Sequence, residues 1–117
     1  MSITEETARA WVDVDLTALV ANARTIAAIS GSRLLPMVKA NGYGLGAVPV
    51  ARALETLDPW GYGVATIEEG TELRAARITR PILVFTPLRH DAIRRFLTDD
   101  LRPVIDDPAV LRAWIGA

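Results

Sequence analysis

A lysine stands where an apolar segment meets a glycine-rich loop. Residues 34–39 read LLPMVK and residues 41–46 read NGYGLG, so Lys39 lies between the two. Lysine is depleted in strand interiors, and ligands of parallel α/β folds gather at the carboxyl ends of strands. Partial desolvation there disfavours the ammonium form, so the free amine becomes a nucleophile able to form a Schiff base with a carbonyl. A purely structural charge at a strand end remains the alternative.

The loop beside Lys39 contains residues that can approach and bind a ligand. Gly42, Gly44 and Gly46 permit backbone conformations closed to other residues and let the chain come close to a ligand. The hydroxyl of Tyr43 can donate a hydrogen bond to a phosphate oxygen. The segment lacks the G-x-x-x-x-G-K-[ST] order of a nucleotide P-loop. A lysine that forms a Schiff base suits the attachment used by pyridoxal phosphate.

The composition is that of an ordinary globular domain. Of the 117 residues, 50% are hydrophobic and 23% are charged, which allows one domain with a real core. The net charge of −1 leaves no basic field to collect nucleic acid or anionic lipid. Without cysteine, disulfides and a thiolate nucleophile are excluded, and with one histidine, His90, a histidine-rich metal site is excluded too. We expect no metal, and a surface position for His90.

The chain has no feature of a targeting or membrane segment. Residues 1–10, MSITEETARA, contain two glutamates and no apolar core, unlike a signal peptide. No apolar run approaches the ~20 residues needed to cross a bilayer. We therefore expect a soluble protein of the cytoplasm.

Two hydrophobic periods alternate along the sequence. They predict strands at residues 10–14, 34–39, 62–65, 81–85 and 102–105. Helices are predicted from residue 16 to a stop at Gly31, and over residues 48–57, 67–77, 91–97 and 107–115. Pro36 inside the second strand indicates a position where no ladder donor is needed.

Capping residues support the helix assignments. Asp15 and Asp107 fit as N-caps, and Pro108 fits the first helical position after the second of them. Thr66 followed by Glu69 fits a capping box.

The short connections between strands and helices predict an α/β fold of about five parallel βα units. An open doubly wound sheet and a partial (β/α)₈ TIM-type barrel are both compatible with this order. A complete barrel takes about 250 residues, so a barrel would be incomplete over this length. Because a barrel fragment leaves a strand edge and apolar inner faces unpaired, we expect the chain to be part of a longer fold.

Several segments resemble one enzyme family. VKANGYGLG is similar to the pyridoxal-phosphate attachment segment of alanine racemases, commonly VKA(D/N)AYGHG. ARAWVDVDLTALVANARTIAA is similar to the opening of that family, and GYGVATIEEGTELRAARITRPILVF to its next stretch. The resemblance covers residues 8–85, with a fainter match through RPVI. It implies a fold type III enzyme, an isomerase that interconverts L-alanine and D-alanine and supplies D-alanine for peptidoglycan.

The resemblance implies roles for two residues. Lys39 matches the lysine that binds the cofactor covalently and is one of the two acid–base groups at the substrate α-carbon. Tyr43 matches the tyrosine that binds the cofactor phosphate. Two departures are present: Gly42 replaces the usual alanine, a mild change that loosens the loop, and Leu45 replaces the usual histidine, which removes a polar group near the lysine.

Other parts of the family site have no counterpart in these residues. Racemisation needs two positioned groups, one on each face of the α-carbon. The family's second group is a tyrosine from the C-terminal β domain of the partner subunit in a homodimer, and an arginine faces the pyridine nitrogen. We therefore expect residues 1–117 to be the N-terminal part of the barrel domain, without the β domain and inactive alone. A non-catalytic pyridoxal-phosphate-binding barrel or a truncated remnant remains an alternative.

The remaining candidates are assigned structural roles. Glu68, Glu69 and Glu72 are expected to be helix-end charges favoured by the helix dipole. Tyr62 starts a strand, which is the wrong end for a barrel active site. Phe85 ends a strand and could face the cofactor pocket, but we expect it to pack in the core.

Overall fold

The computed structural model of the protein describes residues 7–117. Three short strands are β1 (Tyr62–Val64), β2 (Ile82–Val84) and β3 (Arg102–Pro103). The helical elements are α1 (Leu16–Ser30), α2 (Lys39–Tyr43), α3 (Ala47–Leu54), α4 (Ile67–Ala75), α5 (Ile93–Thr98) and α6 (Pro108–Ile115). Single 3₁₀ turns, Glu55–Leu57 and His90–Ala92, follow α3 and precede α5. None of the helices within residues 7–117 is both long and apolar enough to cross a bilayer.

The strands form a parallel sheet in the order β1-β2-β3. Tyr62 pairs with Ile82, and Leu83 pairs with Arg102. The predicted strand at residues 34–39 is reduced to a parallel pairing of Met37 with Gly63 on the free side of β1. The strands alternate with helices in sequence, so the α/β class is confirmed for the described residues, while closure into a barrel stays a prediction.

Pro36 lies at a position that suits its missing N–H. Its carbonyl accepts a hydrogen bond of 2.8 Å from Gly63 N, and Val38 N then donates to Gly63 O at 2.8 Å. Only the carbonyl of Pro36 takes part in this pairing, as the sequence predicted.

The first predicted strand was wrong. Residues 10–14 form neither a strand nor a helix, and Trp11 and Val12 are 59% and 79% exposed. A strand is stable only when its backbone groups pair with a neighbour, and no segment of residues 7–117 forms a ladder with this one. Four of the five predicted strand positions therefore pair in the sheet, one of them through a single residue.

The helix boundaries predicted from capping residues are confirmed. Asp15 accepts a hydrogen bond of 2.9 Å from Ala18 N, and Gly31, with a φ of 65°, is the C-cap that follows α1. Asp107 accepts from Ala109 N at 2.8 Å, with Pro108 at the first helical position. The helices predicted over residues 48–57 and 91–97 each divide into an α-helix and a 3₁₀ turn, and α4 ends at Ala75 instead of residue 77.

The core lies on one face of the sheet. Tyr62, Val64, Ile82 and Val84 are at most 1% exposed and pack with residues of α3, α4 and α5. Its largest buried members beyond the sheet are Phe96, Leu73 and Leu101. Since side chains alternate along a strand, Gly63 and Leu83 belong to the opposite face, on which Met37 also lies. The core therefore packs against one face of the sheet, and Met37, Gly63 and Leu83 belong to the opposite face.

Gly61 fixes how closely the strands approach at the start of the sheet. A methyl group added at Gly61 would overlap the carbonyl oxygen of Pro81, which accepts a hydrogen bond of 2.9 Å from Tyr62 N. We expect Gly61→Ala to lower the free energy of unfolding by about 1–3 kcal/mol, because overpacking must push backbone apart. Urea denaturation followed by circular dichroism measures the change.

Gly116→Ala is the matched control for Gly61→Ala. Gly116 has an ordinary φ of −84°, and its added methyl group would lie 3.6 Å from its nearest neighbour, the Arg112 carbonyl oxygen. We expect it to change the free energy of unfolding by less than about 0.5 kcal/mol. Equal stabilities for both variants would contradict the close approach at Gly61.

Candidate functional site

Lys39 follows the extended segment that pairs with β1. The pairing ends at Met37, and the chain turns away after Val38, so Lys39 lies at the carboxyl end of this part of the sheet. The side chain is exposed, and its Nζ lies 5.9 Å from the centre of the Tyr43 ring. Lys39 is thus the first residue of a turn and not the last of a strand. It is also more open to solvent than the sequence led us to expect.

A cavity of ≈ 580 Å³ opens at the carboxyl ends of the strands. Its lining combines one amine and two hydroxyls with apolar walls, from the residues Met37, Lys39, Tyr43, Ala65, Phe85, Thr86 and Pro87. These residues come from the lysine segment and from the loops that follow β1 and β2. The two residues that the sequence nominated, Lys39 and Tyr43, therefore line the same cavity.

The α2 segment, which begins at Lys39, is a left-handed turn and not a regular α-helix. Ala40, Asn41 and Tyr43 have φ values of 50°, 53° and 57°, and Gly42 and Gly44 have values of 65° and 86°. This conformation costs a residue with a side chain about 1–2 kcal/mol, with asparagine among the residues that adopt it most readily. Such strain persists only where surrounding contacts hold it, and it is concentrated at functional sites.

Backbone and side-chain hydrogen bonds hold the turn in place. Gly42 N donates to Val38 O at 2.9 Å, and Gly46 N donates to Asn41 O at 2.8 Å. The Asn41 side chain accepts from Ala47 N at 3.0 Å and so satisfies an amide at the start of α3. Gly42 is buried against the backbone of Ala47, so the turn is tightly tied to α3.

Glu69 connects the turn to the next strand-to-helix junction. Its Oε1 accepts hydrogen bonds from Ala65 N at 2.8 Å and Thr66 N at 2.9 Å. Thr66 Oγ1 accepts from Glu69 N at 3.2 Å, so the predicted capping box is confirmed. The second oxygen, Oε2, accepts from Ala40 N at 2.6 Å. Sequence reasoning missed this contact, because a capping box explains a glutamate at this position without it.

Gly63 leaves room for the apolar walls of the cavity. A methyl group added at Gly63 would overlap the Met37 sulfur and come within 2.9 Å of the Phe85 ring. Phe85 is 44% exposed and lines the cavity, so the expected core position was wrong and the alternative, a position that faces the pocket, is the one observed. Phe85 follows Val84 of β2, and Val84 takes the buried face, so alternation turns Phe85 to the cavity face.

The structure separates Tyr62 from the cavity. Tyr62 begins β1 and is fully buried, and its hydroxyl lies 2.8 Å from Ala51 O and 2.7 Å from a Glu55 carboxylate oxygen. Burial raises the pKa of the Tyr62 hydroxyl far above its usual range, and the Glu55 carboxylate acts in the same direction. Tyr62 therefore does not contribute to the candidate site.

Two further residues also lie away from the lysine cavity. His90 is exposed in a short turn, as expected. Leu45 is 40% exposed and lines an apolar groove of ≈ 660 Å³ between α1 and the lysine segment. This groove shares Met37 and Tyr43 with the lysine cavity, but Leu45 itself is not among the residues that line the cavity.

Lys39 is the sole lysine of the sequence, in which the other basic residues are twelve arginines and His90. Primary amines of the chain are thus limited to Lys39 and the amino terminus. Any lysine that binds a carbonyl compound in this chain is Lys39.

The described residues form a parallel α/β domain that carries an amine and a tyrosine hydroxyl at the carboxyl ends of its strands, where domains of this class bind their ligands. Residues 14–117 match the family described as "Alanine racemase, N-terminal domain". The chain belongs to this family.

Relatives in the family are similar to this chain in sequence and structure. The alanine racemase of Symbiobacterium thermophilum is 46% identical over 99 residues, which cover 83% of this chain and 26% of that protein. The crystal structure of alanine racemase from E. faecalis superposes with a TM-score of 0.80 at 31% identity, over 87% of this chain and 28% of that one. Alanine racemase from Bartonella henselae, with covalently bound pyridoxal phosphate, gives a TM-score of 0.78 at 31% identity, over 86% and 29%. This chain spans about a quarter of the curated relatives it matches.

Asn41 offers a direct test of what holds the left-handed turn. Asn41→Ala removes the acceptor of Ala47 N and puts a less tolerant residue at a φ of 53°. We expect the free energy of unfolding to fall by about 1–3 kcal/mol, because a buried amide loses its partner. Chemical denaturation measures the loss. Asn41→Asp keeps an acceptor oxygen and should retain most of the stability; an equal loss in both variants would contradict this role.

Proposed function

We propose that this chain supplies the cofactor-binding lysine and one proton-transfer group of a pyridoxal-phosphate-dependent racemase that interconverts L-alanine and D-alanine. The observation that carries the proposal is the position of Lys39, the sole lysine, beside Tyr43 at the cavity. Membership of the family of alanine racemase N-terminal domains supports this reaction and this substrate class. By the same resemblance, the D-alanine would serve peptidoglycan synthesis in the cytoplasm.

The residues around the cavity fit the proposed cofactor. Lys39 offers a primary amine for an aldehyde, and the hydroxyl of Tyr43 offers a donor to a phosphate. Met37 and Phe85 provide apolar walls for an aromatic ring, with Gly63 beneath them. The related enzyme from Bartonella henselae holds pyridoxal phosphate covalently, which is consistent with this fit.

Lys39 would act twice in the reaction. Its Nζ is the group that would hold the cofactor, through the aldehyde carbon and with the aldehyde oxygen released as water. Bound there, pyridoxal phosphate supplies an electron-withdrawing ring that acidifies the α-proton of an attached amino acid. As a free amine, Lys39 Nζ would accept or return a proton on one face of the α-carbon. The Tyr43 hydroxyl would donate a hydrogen bond to the cofactor phosphate and so help to orient the cofactor.

The opposite face of the α-carbon needs a second group. Of the residues that line the described cavity, Lys39 and Tyr43 alone are titratable, and Tyr43 is assigned to the phosphate. By the family resemblance, the second group is a tyrosine from the C-terminal β domain of a partner subunit. We therefore assign residues 1–117 to the N-terminal part of a (β/α)₈ barrel in a homodimeric enzyme.

A second candidate function is cofactor binding without racemisation. Once Tyr43 is assigned to the phosphate, Lys39 is the one acid–base group left among the residues that line the described cavity. This favours cofactor binding without racemisation for the 117 residues taken alone. Racemisation of alanine by the isolated chain would rule out this candidate and would place both proton-transfer groups within it.

A cofactor titration tests the role of Lys39. We expect pyridoxal phosphate to give a yellow adduct that borohydride reduces, with the reduced label on the peptide that contains Lys39. Lys39→Arg keeps the charge but cannot form the adduct, so its label should be restricted to the amino terminus. If the wild-type chain carries no label on Lys39 at saturating cofactor, both candidate functions are excluded.

A comparison of two ligands tests the role of Tyr43. Tyr43→Phe should raise the dissociation constant of pyridoxal phosphate about tenfold, the value of one hydrogen bond to a charged group. Pyridoxal lacks the phosphate, so its binding should be unchanged by the substitution. Spectroscopic titration of both ligands measures this, and an equal loss for the two would show that Tyr43 does not contact the phosphate.

A further inference from the structure

The carboxylate of Glu69 joins two loops that lie far apart in sequence. One oxygen caps the start of α4 through the amides of Ala65 and Thr66, and the other accepts from Ala40 N, 29 residues earlier, at 2.6 Å. Helix capping needs only the first oxygen. The second hydrogen bond is charge-assisted and therefore among the stronger kinds in proteins.

The bond to Ala40 acts on the backbone of Lys39. The amide of Ala40 belongs to the peptide plane that begins at the Lys39 carbonyl, and a peptide unit is rigid and planar. A carboxylate that fixes the direction of the Ala40 N–H also fixes the peptide plane between Lys39 and Ala40. Because the Lys39 Cα lies in this plane, the hydrogen bond restricts the direction in which the Lys39 side chain leaves the backbone. Ala40 has a φ of 50°, so the plane is held in a conformation the residue would otherwise avoid.

Glu69 works through the backbone and not through the amine. The neighbouring acid, Glu68, forms an ion pair with Arg95 at 2.8 Å. Within residues 7–117, no ion pair joins Glu69 to Lys39. The α4 helix packs on the buried face of the sheet through Gly70 and Leu73, which anchors Glu69 to the rigid part of the molecule. The Glu69 carboxylate therefore holds the strained turn at a fixed position relative to the core.

We propose that Glu69 is a positioning residue, which holds the Ala40 amide and thereby aims Lys39 into the cavity. The effect on cofactor capture rests on the proposed function, whereas the effect on the turn does not.

Two measurements on the full chain test the proposal. The first is amide hydrogen exchange at Ala40 by NMR without cofactor, and the second is the rate at which pyridoxal phosphate labels Lys39 before borohydride quenching. Glutamine has one acceptor oxygen, so Glu69→Gln can serve the capping amides or Ala40 but not both. We expect exchange at Ala40 to rise at least tenfold and the labelling rate of Lys39 to fall about tenfold.

Two control variants separate positioning from capping and from charge. Thr66→Ala removes the other half of the same capping box and leaves the Ala40 contact intact. It should lower the melting temperature without changing exchange at Ala40 or labelling of Lys39. Glu72→Gln removes one negative charge from an exposed position of the same helix and should change none of the three readouts.

The outcomes distinguish this proposal from the proposed function. If the exchange rate at Ala40 does not change in Glu69→Gln, the positioning role is overturned. The role is also overturned if Thr66→Ala raises the exchange rate at Ala40 by as much as Glu69→Gln does. If Lys39 is labelled in the wild type at the same rate as in Glu69→Gln, the positioning role is also overturned. A wild-type chain without label refutes the proposed function, and exchange at Ala40 then decides the structural role of Glu69 alone.

Discussion

One backbone constraint governs the site: the chain must change direction immediately after the pairing of Met37 with Gly63. The reversal uses a left-handed turn in which three residues with side chains have positive φ. The turn is maintained because each neighbouring element contributes a contact, with Val38 from the sheet segment, Ala47 from α3 and Glu69 from α4. The position of Lys39, at the start of this turn, is therefore set by contacts from several elements of the domain and not by its local sequence alone.

Local chemistry predicted much of the fold from the sequence. Asp15, Thr66 and Asp107 each satisfy amides at a helix start, and that requirement depends on only a few neighbouring residues. Lys39 and Tyr43 were found by residue type and by family resemblance, and the structure places both at one cavity. The capping assignments are confirmed because the physical reason for each lies within a few residues of sequence, whereas the roles of Lys39 and Tyr43 stay predictions.

The failures required knowledge of the tertiary structure. Residues 10–14 have a strand pattern, but a pattern cannot say whether a partner strand lies alongside. Phe85 was assigned to the core because an apolar run does not reveal which face each side chain takes. The link from Glu69 to Ala40 spans 29 residues, and its capping role gave a sufficient local explanation. In each case the missing information was which elements lie next to one another in space.

The restriction of lysine to one position also has a consequence for chemical modification. Reagents that acylate or alkylate primary amines leave guanidinium groups untouched at neutral pH, since arginine stays protonated. On this chain such a reagent meets an exposed Nζ at the cavity, the amino terminus, and a surface whose other cationic side chains are arginines. Acylation of Lys39 would remove its charge and its nucleophile together and would obstruct the cavity, and the amino terminus would be the one other primary amine modified.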